Sequence, residues 1–358
     1  MLRGIMVTDY LRYLWPGSFF IITTLGVMLG GAGCWFGVLL FPLVACVEYF
    51  LEDDLRKRRM QPVGALFMLY IQLVPWLFLW YGLWRFLQTD YQWWEWLGTI
   101  ISVGGITAAV GLPIAHELFH RHEGISRFFG DLFAVTLISG DVELEHRKGH
   151  HIETSTMNDI DTAYRGESVY AFIARLLPFF HTEPWNMEKQ RFANKGRSHW
   201  SPGNIVLWAA AGYLALFLFF CFSAGLFAGI SVLLISVIGQ SIVCVFSYVQ
   251  HYGLVRVPDT PIEKRHAWNH IRPLSRVLTF EIVTHSQHHT DPTVPYWELT
   301  PYPDAARVGS AYGYFLLALV PPLWHKRMRE HISLWDENHA TGGELQLATE
   351  ANRAAGWN

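Results

Sequence analysis

Residues 13–47 read YLWPGSFFIITTLGVMLGGAGCWFGVLLFPLVACV, with Arg12 before them, Glu48 after them and no charged side chain between. A bilayer span takes about 20 residues, so this run is too long for one crossing and suits two. Gly30, Gly31 and Gly33 near its middle supply the backbone freedom that a tight turn needs. The stretch therefore reads as a helical hairpin, with spans over 14–30 and 34–51. Working outward, two further apolar runs cover 62–84 and 96–116. Residues 198–255 then carry no acidic or basic residue apart from histidines, enough for a second hairpin of 204–222 and 226–248 turning near Gly225. Trp93, Trp94, Trp96, Trp200 and Trp208 fall where the aromatic belts of a membrane protein lie. The shorter run 309–324, broken by Pro321 and Pro322, is expected to be interfacial or re-entrant. The expected fold is an all-α membrane protein with six transmembrane helices.

Composition agrees with that reading. The chain has 358 residues, 51% of them apolar and only 16% charged, and its mean hydropathy is +0.20. Soluble domains carry roughly a quarter charged residues. A net charge of −3 gives no support to a nucleic-acid partner. Cys34, Cys46, Cys221 and Cys244 all lie in apolar runs without a paired spacing, so they read as small hydrophobes and not as disulfides or zinc ligands. The opening stretch, through Arg3 and Arg12, lacks a small-residue cleavage site and is expected to be a retained first span.

Charge orients the spans. Arg3, Arg12 and the run Arg56, Lys57, Arg58, Arg59 fall on one side, which the positive-inside rule makes cytoplasmic. Residues 117–203 and 249–358 reach that same side and are expected to form one cap, leaving only short turns outside. No internal repeat and no linker divides the chain, so residues 1–358 read as one integral-membrane domain.

Seventeen histidines are distributed unevenly, and their spacing matters more than their number. His116 and His120 are four apart at the inner end of the fourth span, so they share a helical face and can hold one metal together. His146 and His150 repeat that spacing, with His151 turned about 100° away toward a second metal. His285 meets His288 and His289 at three and four residues. Three such groups on one side of the membrane point to a metal centre. The HExxH at 116–120 also admits a zinc protease with Glu117 as general base. One tetrahedral zinc would leave most of these histidines unused, whereas eight of them suit two ions of higher coordination. Imidazole accepts several transition metals and does not select one.

The segments HELFHR (116–121), EHRKGHH (145–151), HYGL (251–254) and HSQHH (285–289) resemble the signatures of the integral-membrane alkane hydroxylases. These belong to the histidine-rich non-haem di-iron superfamily that also contains membrane fatty-acid desaturases. The resemblance adds His251 as a ninth ligand. It implies two Fe ions, O2 as co-substrate and hydroxylation of an unactivated C–H bond, in a bacterial inner membrane with the active site facing the cytoplasm. Alkane-hydroxylating members usually have Glu before the histidine of the HYG segment, whereas this chain has Gln250. That residue, with DTAYRG at 161–166, AWNH at 267–270 and the tail at 350–357, resembles the xylene and p-cymene monooxygenase branch. The resemblance therefore implies hydroxylation of a methyl group on an alkyl-substituted aromatic. Medium-chain alkane hydroxylation, desaturation and a non-catalytic metal store or transporter are the alternatives.

Glu117, Glu145, Asp159, Asp161, Gln250, His270, Glu281 and Asp291 are candidates to brace the ligand rings, since such partners fix tautomers and raise donor strength. His122 and His266 lie near the motifs without matching their spacing. Phe41, Tyr49, Phe50, Trp76, Phe78 and Trp80 are candidates to line a route for apolar substrate from the lipid, with lipid-facing or helix-packing duty the leading reading for each. The sequence contains no nucleotide-binding, flavin or iron–sulfur motif, so electrons must arrive from a partner. In the resembling branch that partner is a ferredoxin-type, iron–sulfur NADH reductase. Arg147, Lys148, Arg256, Lys264, Arg265, Arg272, Lys326, Arg327 and Arg329 could attract an acidic donor of this kind.

Overall fold

The computed structural model describes residues 7–121 and 123–357, so Arg3 and His122 lie outside the described residues. The architecture is all-α, and the only β pairing among the described residues is a single bridge between Asn269 and Arg307. Five helices are long and apolar enough to cross a membrane: Gly31–Tyr49 (α2), Pro62–Phe86 (α3), Trp93–Phe119 (α4), Ile205–Ala224 (α8) and Leu226–His251 (α9). Trp15–Leu29 (α1) precedes them and has only 15 residues. The expected count of six therefore rests on a helix too short by itself to span. Helical turns at Val7–Leu11 and Arg12–Leu14 lengthen it.

Local chemistry sets the breaks. Gly30 and Gly31 both adopt positive φ between α1 and α2. Gly26 and Gly33 then let the two helices meet backbone to backbone, because a Cβ on Gly26 would lie 2.4 Å from the Gly33 carbonyl oxygen. Glu95 at the start of α4 closes this turn by accepting the Gly31 amide at 2.5 Å. Gly225, at φ +93°, makes the equivalent turn between α8 and α9. α8 fully buries only Phe220, as suits a lipid-facing helix, while α4 is mostly buried at the centre of the bundle.

The remaining helices cap one end of this bundle. Gly124–Val135 (α5) packs back on the end of α4. Val142–Glu145, a π turn at His146–His150 and His151–Glu153 together form α6. Val169–Ala193 (α7) follows, and Pro273–Leu278 (α10) and His285–Thr290 (α11) come after α9. Ala311–Ala318 (α12) has eight residues, too few to cross, and wedges between α2 and α9. Pro321–Asn338 (α13) and Gly343–Ala354 (α14) close the chain. Arg165 secures them, donating to Asp336 at 2.7 Å, to Asn352 at 2.8 Å and to the Gly253 carbonyl at 2.8 Å.

A buried ion cluster joins cap to bundle. Glu281, fully buried, accepts from Tyr13 Oη at 2.5 Å, Arg58 Nε at 2.8 Å and Arg276 Nε at 2.5 Å. Asp54 takes the other side of Arg58 at 2.8 Å. Glu281 thus braces the fold and touches no histidine, contrary to its expected place beside the metal ligands. Removing it leaves two guanidinium groups buried without their shared partner. Glu281→Ala should cost roughly 3–5 kcal/mol, read as a large fall in the melting temperature of detergent-solubilised protein; an unchanged melting temperature would exclude this role.

Candidate metal centre

The histidines gather into two groups. His116, His120, His146, His151 and His288 each offer a ring nitrogen to one point, and His150, His251, His285 and His289 do so at another. Within each group the nitrogens all lie within 4.8 Å of one another. The groups adjoin, with the His151 and His289 ring centres 4.8 Å apart.

His116 and His120 do share one group, as a four-residue spacing on one face requires. The other two motifs divide differently from the expectation. His146 joins His151, and His150 goes to the second group. The cause is the π turn: the His151 amide donates to the His146 carbonyl, so residues five apart line up. His285 likewise pairs with His289 and not with His288. In both motifs the adjacent histidines diverge because successive helical residues point about 100° apart. Each adjacent pair therefore bridges the two groups.

Three of the outer nitrogens are held from behind, whereas His151 Nδ1 and His251 Nδ1 are buried with no partner among the described residues. His150 Nδ1 lies 3.0 Å from Asp159 and 3.7 Å from Asp161. His285 Nδ1 donates to the Ile282 carbonyl at 3.0 Å. His289 Nδ1 lies 3.1 Å from Thr154 Oγ1. Asp159 is fixed in turn by Thr162 Oγ1 at 2.6 Å, and Asp161 by Ser247 Oγ at 2.6 Å. Since carboxylates and carbonyls only accept, His150 and His285 must each carry a proton on Nδ1, which leaves the Nε2 of the neutral His285 ring as a bare lone pair. The His285 Nε2 nonetheless faces His251 Nε2 at 2.8 Å and His289 Nε2 at 3.0 Å. In the first group His116 and His151 approach His146 in the same way, at 2.8 and 3.0 Å. His120 Nε2 and His288 Nε2 are buried with no hydrogen-bond partner among the described residues. Converging lone pairs of this kind repel unless a cation lies among them, so the donor set fits metal.

Burial keeps the rings neutral. It holds His151 down to about 2 and His285 to about 3, with neighbouring rings adding to the effect. His288 and His289 lie far below their usual value for the same reasons. His150 is the exception. Burial opposes its imidazolium, but Asp159 and Asp161 outweigh that and raise it to about 9. Burial, with Asp161 nearby, raises Glu145 to about 8.

The other expected bracing residues fall elsewhere. Glu117 pairs with Arg121 at 2.6 Å and accepts the Tyr296 amide at 3.3 Å, so it is not the free base a zinc protease would need. His270 lies against the Gly309 and Val249 carbonyls, His266 against Glu344. Asp291 is exposed and caps Thr293. Arg256 is buried, donating to the Thr154 and Ile152 carbonyls, and offers no charge to a docking partner. The sequence reading missed Thr154 and the Ile282 carbonyl. Thr154, four residues after His150, had a helical-spacing signal; a backbone carbonyl has none.

A cavity of about 120 Å³ opens beside both groups. His116 and His146 of one, and His150, His251 and His285 of the other, form its polar end. Ala108, Ala109, Leu112, Val243, Phe246 and Phe180 form its apolar end. A second π turn, Thr107–Gly111, shapes the α4 wall just before Pro113, which has no N–H for the Ala109 carbonyl. None of the six candidate route aromatics borders this cavity. Trp76 instead packs on Phe133, Phe41 on Tyr312 and Phe315, and Tyr49 is exposed.

The fatty acid desaturase family model matches residues 91–317, which run from α4 to the last turn of α12 and include every histidine of the two groups. The xylene/toluene monooxygenase hydroxylase component of Pseudomonas putida is 33% identical, over 98% of this chain and 96% of its own length. The chain belongs to the membrane di-iron monooxygenase family. It is a non-haem di-iron monooxygenase, an integral-membrane protein of bacterial type. Alkane 1-monooxygenases 2 and 1 of Pseudomonas aeruginosa are each 30% identical to it, over 83% and 73% of this chain and 80% and 69% of their own lengths.

The Asp159–His150 contact gives this monooxygenase a direct test. Asp159→Asn should weaken iron retention roughly 10–100-fold, read by elemental analysis after graded chelator washes. Retention equal to wild type would remove Asp159 from the site.

Proposed function

We propose that this monooxygenase hydroxylates a methyl group of an apolar hydrocarbon, using O2 and electrons delivered by a partner. The observation that carries this reading is the cavity, apolar along most of its wall and ending on histidines of both groups. In this reading His116, His120, His146, His151 and His288 hold one iron, and His150, His251, His285 and His289 the other. Bound iron would supply the redox chemistry for O2. The protein's own residues do the rest: Asp159 and Asp161 fix the His150 ring, and the apolar wall excludes water and aims the methyl group.

Two substrate classes have support. A medium-chain alkane has the broader backing, because alkane 1-monooxygenases outnumber the xylene/toluene component among the relatives. An alkyl-substituted aromatic such as a xylene or p-cymene is supported by the nearly full-length match and by Gln250. We take the methylarene as the preferred substrate. In membranes given NADH alone no product should form, and adding an iron–sulfur reductase should start turnover. With p-xylene, p-cymene and octane offered together, benzylic alcohols should form faster than 1-octanol. A preference for octane would establish the alkane reading, and a new double bond in place of an alcohol would establish a desaturase.

The same reading places α1 as a sixth span and the cap, 117–203 with 249–358, in the cytoplasm of a bacterial inner membrane. Support comes from the basic loop at 56–59 and from an even number of crossings between it and the cap. Cysteines introduced at exposed positions Lys57, Asn158 and Glu298 should all react with impermeant reagent from the cytoplasmic side only. Labelling of the Asn158 position from outside would overturn the single-cap topology.

A further inference from the structure

Gln250 is 8% exposed and lines the cavity beside His251, where its amide atoms remain accessible and are not among the buried, unpartnered groups of the described residues. A primary amide has two donors and an acceptor to place, and the cavity is where a ligand can meet them. Its neighbour Ser247 shows the contrast, because that hydroxyl is spent on Asp161 at 2.6 Å.

The placement of the amide follows from the helix that carries it. Val243, Phe246, Ser247, Gln250 and His251 recur at three- and four-residue intervals, so they form one face of α9 along the cavity. That face runs from apolar residues deep in the bundle to the metal-facing His251. Gln250 sits at its metal end. A substrate whose methyl group reaches the histidines must therefore lay its next carbon atoms beside this amide. In a methylarene those atoms belong to the ring, whose electron-rich face accepts an N–H. In an alkane they are methylenes, which offer no acceptor and leave the amide unpaired.

We propose that Gln250 is a specificity-determining residue, favouring ring-bearing over saturated hydrocarbons by donating its amide N–H to the ring face. This rests on the hydroxylation reading and names what selects its substrate. A site with a polar group to satisfy discriminates against ligands that cannot satisfy it. Bonds to an aromatic face are weak, so the preference at this one residue is modest.

The test is equilibrium binding of p-xylene and of octane to the purified, detergent-solubilised protein with no electron donor present. Gln250→Leu keeps the side chain's bulk and removes the donor, and Gln250→Met does the same without branching should the leucine variant fold poorly. In a variant that retains iron at the wild-type level, the dissociation constant for p-xylene should rise roughly two- to five-fold relative to that for octane. An unchanged ratio of the two constants, or a shift toward p-xylene, would overturn the proposal. Wild-type turnover judges the hydroxylation reading separately, because the binding ratio needs no catalysis.

Discussion

Imidazole nitrogens must reach two points inside the protein while remaining neutral, and most of the structure answers to that requirement. A neutral ring has one N–H, so a ligand nitrogen is free only when the other nitrogen has somewhere to donate. Asp159 and the Ile282 carbonyl provide this for His150 and His285, and Thr154 meets His289. Those partners are set by others, Asp159 by Thr162 and Asp161 by Ser247. The chain therefore brings five separate segments together: the end of α4, the π turn of α6, the loop at 154–162, the end of α9 and α11. Few of these segments could hold their position alone. The cap is the support for the rings.

That cap must itself be fixed to a bundle that sits in lipid. Two carboxylates do this work from opposite directions. Glu48, at the end of α2, accepts from the Ser275 amide and hydroxyl at 2.5 and 2.6 Å and also from Ser310. Glu281, in the cap, accepts from Tyr13 at the start of the bundle and from Arg58 in the loop after α2. Glu281 lies four residues before His285, so any shift of this ion cluster would be felt at the second histidine group. Positive charge here is not only a topological signal. Arg58 and Arg276 are consumed in the interior, as Arg256 is beneath α6.

Much of this was legible in the sequence, for physical reasons that differ between features. Charge-free runs and glycine pairs mark membrane hairpins because lipid allows neither exposed charge nor unsatisfied backbone. Eight of the nine histidines could be picked out because helical spacing is strict, and His251 came from the resemblance of its HYGL segment. Their division into five and four could not. It depends on a π turn at His146–His150, and one extra residue in a turn leaves no composition signal. Glu281 shows the opposite failure, since its nearness to HSQHH in sequence suggested a ligand brace while its side chain turns toward Tyr13. Proximity in sequence says little about direction once φ turns positive, as it does at Phe280 and Glu281. None of the six candidate route aromatics lines the cavity, and Trp76 and Phe41 show the packing duty that aromatic residues in spans so often have.

The location of the cavity follows from the same two π turns. Thr107–Gly111 widens α4 where Ala108 and Ala109 leave space, and His146–His150 swings His146 toward His116 at the other end. A regular α-helix at the first position would return bulkier side chains to the wall on their ordinary period. At the second it would separate His146 from His151. Widened turns have weaker hydrogen bonding and persist where the surrounding packing holds them. Here α4 is buried at the bundle centre, and α6 is pinned by Arg256 to the Ile152 and Thr154 carbonyls. Apolar room and metal-ready nitrogens thus occur together because two local irregularities are each clamped by a rigid neighbour. The chamber lies at the capped end of the spans, where its apolar wall meets histidines carried by α4, α6, α9 and α11.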